Sequence, residues 1–206
     1  LYSKKKKGDD AMAFSNKKPS MMNRATGAFC RWTLHRLGWT LVGSQIEMPK
    51  AVLIAAPHTT NWDLFYTLLC ARAIHISIWF MMKHTHFWWP ASILWNWLGG
   101  VPINRTKACG VVTQMVEAFA ERDRLYLVIP PEGTRRSVDC WKTGFYHIAH
   151  EAKVPVWPWF IDYKNKHVGC GDVIHPTGDI ESDFERIRAF YEATYGPMPN
   201  CRPGSH

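Results

Sequence analysis

No apolar run among these 206 residues reaches the ~20 that a membrane-spanning helix needs. The best candidate, residues 73–82, is short and carries His75. None of the six cysteines, at Cys30, Cys70, Cys109, Cys140, Cys170 and Cys201, forms a CxxC pair. With no secretory leader in view, free thiols in a reducing compartment are the expectation. There is no G-x-S-x-G elbow, so a serine nucleophile of that kind is excluded. There is no HExxH either. His84 and His86, or His147 and His150, are therefore read as ordinary histidines, and no metal is expected. Acidic residues are the scarce charge, 17 against 25 basic ones, for a net +8. That balance asks for an anionic partner: nucleic acid, an acidic membrane surface or a phosphorylated ligand. A solvated tail is the plain alternative, because Lys4, Lys5, Lys6, Lys7, Lys17, Lys18 and Arg24 crowd the N-terminal end. No nucleic-acid-binding motif accompanies the charge, so nucleic acid is not expected.

What is plentiful is tryptophan, at 11 copies. Its ring suits the boundary between apolar and wet surroundings, although aromatics are also ordinary core material. Residues 1–20 read as a basic disordered tail broken by Gly8 and Pro19. Residues 21–48 read as an amphipathic segment, helical over 21–42, where Phe29, Trp32, Leu37, Trp39 and Leu41 alternate with Arg24, Arg31, His35 and Arg36. Such a helix either docks on the domain or lies in a bilayer interface, with Arg31 and Arg36 toward anionic headgroups. The mixture of aromatic and basic residues favours the interface.

Residues 49–196 read as the folded domain. Strands are predicted over 51–56, 76–82, 101–103, 125–129 and 154–161, and helices over 61–74, 90–98, 109–121, 141–151 and 179–195. Thr60 or Asn61 would cap the first of these helices. Residues 125–129 are apolar throughout, hence buried on both faces. Pro155 and Pro158 place the last strand at an edge or an end. The alternation predicts a single α/β domain with a central, mostly parallel or mixed sheet flanked by helices. Residues 197–206 read as a loose tail.

Polar residues gather where the apolar strands end, which is where α/β sheets bind ligands. His58, Thr59, Thr60, Asn61, Trp62 and Asp63 follow the first strand. The His-x4-Asp spacing lets the carboxylate fold back onto the imidazole as the chain turns into a helix. An Asp on one ring nitrogen fixes the tautomer and leaves the other nitrogen to accept a proton. Such a pair also arises by chance. Gly99, Gly100 and a short strand lead to Arg105, either a planar fork for phosphate or a surface arginine after a tight turn. Pro131, Glu132, Gly133, Thr134, Arg135 and Arg136 follow the strand at 125–129. Gly133 permits close backbone approach. The N–H groups of Gly133 and Thr134 are candidate anion or oxyanion donors, against the plain reading of a turn with solvated arginines. Val154-Pro155-Val156-Trp157-Pro158 is a fourth block.

In order and spacing these blocks resemble the glycerolipid acyltransferase family typified by lysophosphatidate acyltransferases. That family carries H-x4-D, a G-x-I-x-R-like block, P-E-G-T-R and V-P-x-x-P, here at His58 to Asp63, Gly100 to Arg105, Pro131 to Arg135 and Val154 to Pro158. The resemblance covers roughly residues 50–160. It implies that His58 is the general base and Asp63 its orienting partner. It implies that Arg105 and, more weakly, Lys83 contact the acceptor phosphate, and that Glu132, Gly133, Thr134 and Arg135 bind the acceptor and shape its loop. It further implies a lysophospholipid acceptor, an acyl-CoA or acyl-carrier-protein co-substrate rather than a bound cofactor, and a peripheral or monotopic position on the cytoplasmic face of an anionic membrane. Other lysolipids or an acylated amino-acid lipid remain open as acceptors. The chain departs from the pattern with Pro57 before the histidine, Thr59-Thr60 after it, Pro130 before Pro-Glu-Gly and Arg136 after the arginine. Phe87, Trp88, Trp89, Trp95 and Trp97 are expected to dock on the bilayer or to line an acyl-chain tunnel.

Overall fold

A strand reading Ala51-Val52-Leu53-Ile54 has apolar side chains on both sides of its pleat and needs cover on both. The structure, a computed structural model, describes residues 24–43, 48–57, 60, 62–103, 108–133 and 140–196. That strand is β2 (Lys50–Ala55), buried from Ala51 to Ile54. The equally apolar β5 (Leu125–Ile129) pairs beside it in parallel. β3 (Ile78–Lys83), β4 (Gly100–Ile103) and β6 (Val156–Asp162) complete the parallel set. Two further strands run the opposite way: β7 (His167–Cys170) is antiparallel to β6, and β1 (Thr40–Val42) is parallel to β7. The seven-stranded mixed sheet has the order β1-β7-β6-β2-β5-β3-β4.

Helices cover both faces, as the strand composition requires. α1 (Arg24–Arg36), α2 (Trp62–Ala73) and α3 (Ala91–Leu98) pack on one face through Leu34, Cys70, Ala71 and Leu98. α4 (Ala108–Glu121), α5 (Gly144–Glu151) and α6 (Ile180–Tyr195) cover the other through Met115, Phe119, Phe145, Ile148 and Ile187. The division follows from crossover handedness. The steps β2→β3 and β3→β4 move one way across the sheet, and β4→β5 and β5→β6 move back, so right-handed connections fall on opposite faces. No helix of the described residues is long and apolar enough to cross a membrane.

The helix expected over 21–42 ends at Arg36. Gly38 takes a left-handed φ of 77°, which turns Trp39 into the core and starts β1. α1 is docked on the domain at close range: a Cβ on Gly27 would come within 2.3 Å of the His75 ring. Arg31 is exposed, and one nitrogen of its guanidinium donates to the Ala73 carbonyl (3.0 Å), satisfying an open acceptor at the end of α2.

Of the two prolines expected to mark an edge or an end, Pro155 stands just before β6, whereas Pro158 lies inside a strand that runs between β7 and β2 and is not an edge. Pro158 faces Gly171 across the antiparallel side, where the Gly171 N–H donates to the Pro158 carbonyl (2.9 Å). The return bond, which Pro158 has no N–H to make, is replaced by the Trp157 indole N–H donating to the Gly171 carbonyl (2.9 Å). A side chain thus repairs the ladder, and the proline fits the sheet interior. The thiol expectation holds at Cys30, Cys70 and Cys170, which are in no disulfide, and fails at Cys140, which is disulfide-bonded. Cysteine spacing says nothing of which thiols a fold brings together.

Where β2 ends beside the middle of β6 the ladder widens, with Ala56 N and Trp159 O 3.5 Å apart. The fully buried Tyr191 of α6 fills the opening, its hydroxyl 2.8 Å from the Ile54 carbonyl and 2.9 Å from that of Trp159. Tyr191→Phe should therefore keep the fold and lose about 1–2 kcal/mol, the cost of leaving buried acceptors unsatisfied. Urea unfolding measures it.

Candidate active site

Parallel strands that start together finish together, and β2 to β6 all present their carboxyl ends at one edge of the sheet. β2 runs through Ala56 and a cis-linked Pro57 toward His58. β3 ends at Lys83, and β4 ends at Ile103, just short of Arg105. β5 leads into Glu132 and Gly133, and β6 into Tyr163. His58, Arg105, Thr134 and Arg135 lie outside the described residues. Asp63, Lys83, Glu132 and Gly133 lie within them.

Asp63 is buried, at 5% exposure, in the first turn of α2. Its Oδ2 accepts the Thr60 backbone N–H (2.8 Å), and its Oδ1 accepts the Thr60 hydroxyl (3.1 Å). A carboxylate reaching back from the first turn to a preceding threonine N–H is half of a capping box. The other half is the Thr60 hydroxyl accepting the Trp62 N–H (3.1 Å). The negative charge also lies at the positive end of the helix dipole. Asp63 is thus held in a defined orientation directly after the segment that carries His58.

A further contact comes from far along the chain. The Tyr163 hydroxyl donates to Asp63 Oδ1 at 2.6 Å, a charge-assisted length. It is also 3.2 Å from the Thr60 hydroxyl. Burial, followed by the bond to Asp63, pushes the Tyr163 phenol up to about 12. Tyr163 escaped the sequence reading. The signal was present, because it directly follows the carboxyl end of an apolar strand, but the two prolines had placed that strand at an edge.

Lys83 is exposed at the end of β3 and stands in register with Ile103 of β4, bringing a cation to the strand end that precedes Arg105. Glu132 is buried beneath the turn that follows β5. Gly133 has a φ of 65°, the left-handed region that favours glycine. Its N–H donates to the Pro130 carbonyl (3.1 Å), closing the turn. Of the two N–H groups expected as anion or oxyanion donors, that of Gly133 closes this turn and that of Thr134 lies outside the described residues. Lys142 lies over the same glycine, where a Cβ would meet its side chain at 3.2 Å. His84 and His86 stand in a 3-10 turn after β3, and His147 and His150 on α5. Among the described residues no group of three His, Cys, Asp or Glu could hold a metal ion.

A buried carboxylate in the first helical turn after a central strand, with cationic and glycine-bearing strand ends beside it, is the frame on which the comparisons bear. A family model described as Acyltransferase matches residues 40–162. The chain belongs to the acyltransferase family. The matched span runs from β1 to the end of β6, so it takes in every strand end that frames the site. Among solved structures, this acyltransferase is similar to the crystal structure of the 1-acyl-sn-glycerophosphate (LPA) acyltransferase PlsC from Thermotoga maritima. The TM-score is 0.56 at 14% sequence identity, over 84% of this chain and 80% of that one. At that identity the likeness is one of fold. No curated protein sequence matches.

Alkaline titration tests the Tyr163–Asp63 contact. The folded-state value lies above the ordinary tyrosine value of about 10, so the contribution to stability is intact below pH ~10. It is lost as the pH rises through the folded-state value, about 12. Difference absorbance between the wild type and Tyr163→Phe should show a phenol titrating near 12.

Proposed function

We propose that this chain transfers a fatty acyl group from an acyl thioester, on CoA or an acyl-carrier protein, to a hydroxyl of a lysophosphatidate-type acceptor during phospholipid synthesis. The observation that carries the reading is the clamped Asp63 carboxylate in the first turn of α2, five residues after His58 in an H-x4-D pattern. Membership of the acyltransferase family supports the reaction class.

A thioester is already activated, and what the reaction lacks is a good nucleophile. In the proposed step His58 removes the acceptor hydroxyl proton as the oxygen attacks the thioester carbonyl carbon. A positioned base of this kind contributes roughly 10²–10⁴-fold. The Asp63 carboxylate orients the imidazole and stabilises the imidazolium. The tetrahedral intermediate collapses with breakage of the C–S bond, and the leaving thiolate takes the proton back from His58. An ester and a free thiol result. Arg105 and Lys83 bind the acceptor phosphate in this reading, with Glu132, Gly133, Thr134 and Arg135 forming the loop around it. The departures at Pro57, Thr59, Pro130 and Arg136 keep another lysolipid or an acylated amino-acid lipid as the alternative acceptor.

A lipid acceptor has to be reached at a bilayer, and a peripheral position on the cytoplasmic leaflet fits the basic charge of the chain. The aromatic cluster after β3 divides. Phe87 and Trp95 are partly buried, whereas Trp88, Trp89 and Trp97 are exposed together with Ile93 and Leu94. On the outer sides of α1 and α2, Phe29, Trp32 and Trp62 are exposed as well. Apolar groups this large are the material of a membrane contact.

His58→Ala should abolish transfer without loss of fold. Labelled acyl-CoA and acyl-carrier protein with a panel of lysolipid acceptors, read by product mass spectrometry, test both the base and the acceptor; normal turnover by the variant refutes the mechanism. The pair Trp88→Ser and Trp89→Ser should reduce sedimentation with anionic liposomes while leaving turnover of a detergent-dispersed acceptor in place. Undiminished sedimentation would move the contact elsewhere.

A further inference from the structure

The geometry points to Tyr163 as the positioning residue of Asp63, holding the carboxylate in the orientation in which it presents itself to His58. This rests on the acyl-transfer reading above.

Thr60 and Tyr163 bind the Asp63 carboxylate in different ways. The Thr60 bonds are local, made within one turn of chain, and would accompany this helix start in any setting. They orient the carboxylate relative to its own helix and carry no information about where the helix stands on the sheet. The Tyr163 bond spans one hundred residues and joins the first turn of α2 to the end of β6. It is also shorter than the Thr60 hydroxyl bond to the same oxygen, 2.6 Å against 3.1 Å.

A hydrogen bond positions its acceptor only if the donor is itself fixed. The Tyr163 ring packs by one side on a pair of rings, its other side being exposed. Trp39 meets it edge-on with centroids 5.4 Å apart, and Tyr66 meets it edge-on at 5.9 Å. Trp39 is in turn packed on Tyr66 at 4.1 Å and is almost fully buried. The hydroxyl also keeps its proton at neutral pH, since the phenol titrates at about 12, so it is a permanent donor and never a rival anion. Three segments distant in sequence, after α1, on α2 and after β6, thus fix one oxygen of one carboxylate. Displacing a reacting group by about 1 Å can reduce turnover on the order of a hundredfold, so a device of this kind has kinetic consequences.

Tyr163→Phe isolates the hydroxyl, because the ring keeps its edge-on contacts with Trp39 and Tyr66. Measured on the full chain with the acyl donor and acceptor that the wild type uses, it should lower kcat about tenfold or more and leave the acceptor KM within about twofold, since the phosphate contacts are untouched. A thermal melt establishes that the variant is folded. The same change made on Asp63→Asn should have no further effect, because residues acting as one unit are not additive. An unchanged kcat in folded Tyr163→Phe overturns the proposal. So does an equal loss in the Asp63→Asn background, which would mean that Tyr163 acts without Asp63. If Asp63→Asn itself is as active as the wild type, the general-base reading fails, and the role of Tyr163 fails with it. Should Tyr163→Phe not fold, a fluorinated tyrosine that ionises at the assay pH repeats the test at position 163. It keeps the packing but loses the donor proton, and kcat should fall as it ionises; a flat profile across that ionisation overturns the proposal.

Discussion

A carboxylate withdrawn from water beside an apolar sheet persists only when its oxygens are hydrogen-bonded. Asp63 meets that condition through a threonine N–H, a threonine hydroxyl and a tyrosine hydroxyl. Each of these partners makes a demand on the chain. Thr60 must stand one turn before Asp63, which sets the start of α2. Tyr163 must arrive at the same point, which requires β6 to run parallel to β2 and to continue past its last residue, Ala55, which is level with Trp159. Trp39 must turn inward to brace Tyr163, which requires α1 to stop at Arg36 and the chain to turn at Gly38. The placement of three separated segments is bound up with the satisfaction of one buried charge.

The sheet explains how these demands are met together. Five parallel strands deliver their carboxyl ends to one edge, so residues distant in sequence become neighbours without long loops. The weak point of the arrangement is the β2–β6 seam, where the ladder widens just before Pro57, and Tyr191 closes it from the opposite helical layer. Tyr195, one turn further along α6, accepts the Ile161 N–H (2.9 Å) near the end of β6. α6 therefore steadies from below the same strand that carries Tyr163 above.

The parts of this design that were legible in the sequence are those written in local pattern. The continuous apolar runs of β2 and β5 announced a doubly covered sheet, and the polar blocks announced strand ends. The parts that were not legible depend on partners far away. β1 and β7 are short strands whose pairing to each other, not their composition, makes them strands. Pro155 and Pro158 argued for an edge or an end; Pro155 does stand just before β6, and the Trp157–Gly171 bond explains why the sheet interior accepts Pro158. The carbonyl that Arg31 bonds comes from α2, 42 residues away. Tyr163 belongs to the same group: its place after a strand was legible, but its partner Asp63 lies one hundred residues away.

The exposed aromatics raise a last point of geometry. α3 joins the carboxyl end of β3 to the start of β4, so the segment carrying Trp88 and Trp89 begins at the edge of the sheet that holds Asp63 and Lys83. Trp62 stands next to Asp63 in sequence, on the same first turn of α2, with its ring exposed. Because helical neighbours diverge by about 100° around the axis, one turn can face a carboxylate inward and an indole outward. An acceptor with a polar head and an apolar chain poses the same division. In the proposed reading its head would approach the hydrogen-bonded carboxylate while its chain stays out of water. The exposed aromatics on the face where α1, α2 and α3 lie are the apolar surface nearest that carboxylate's helix on which such a chain would rest.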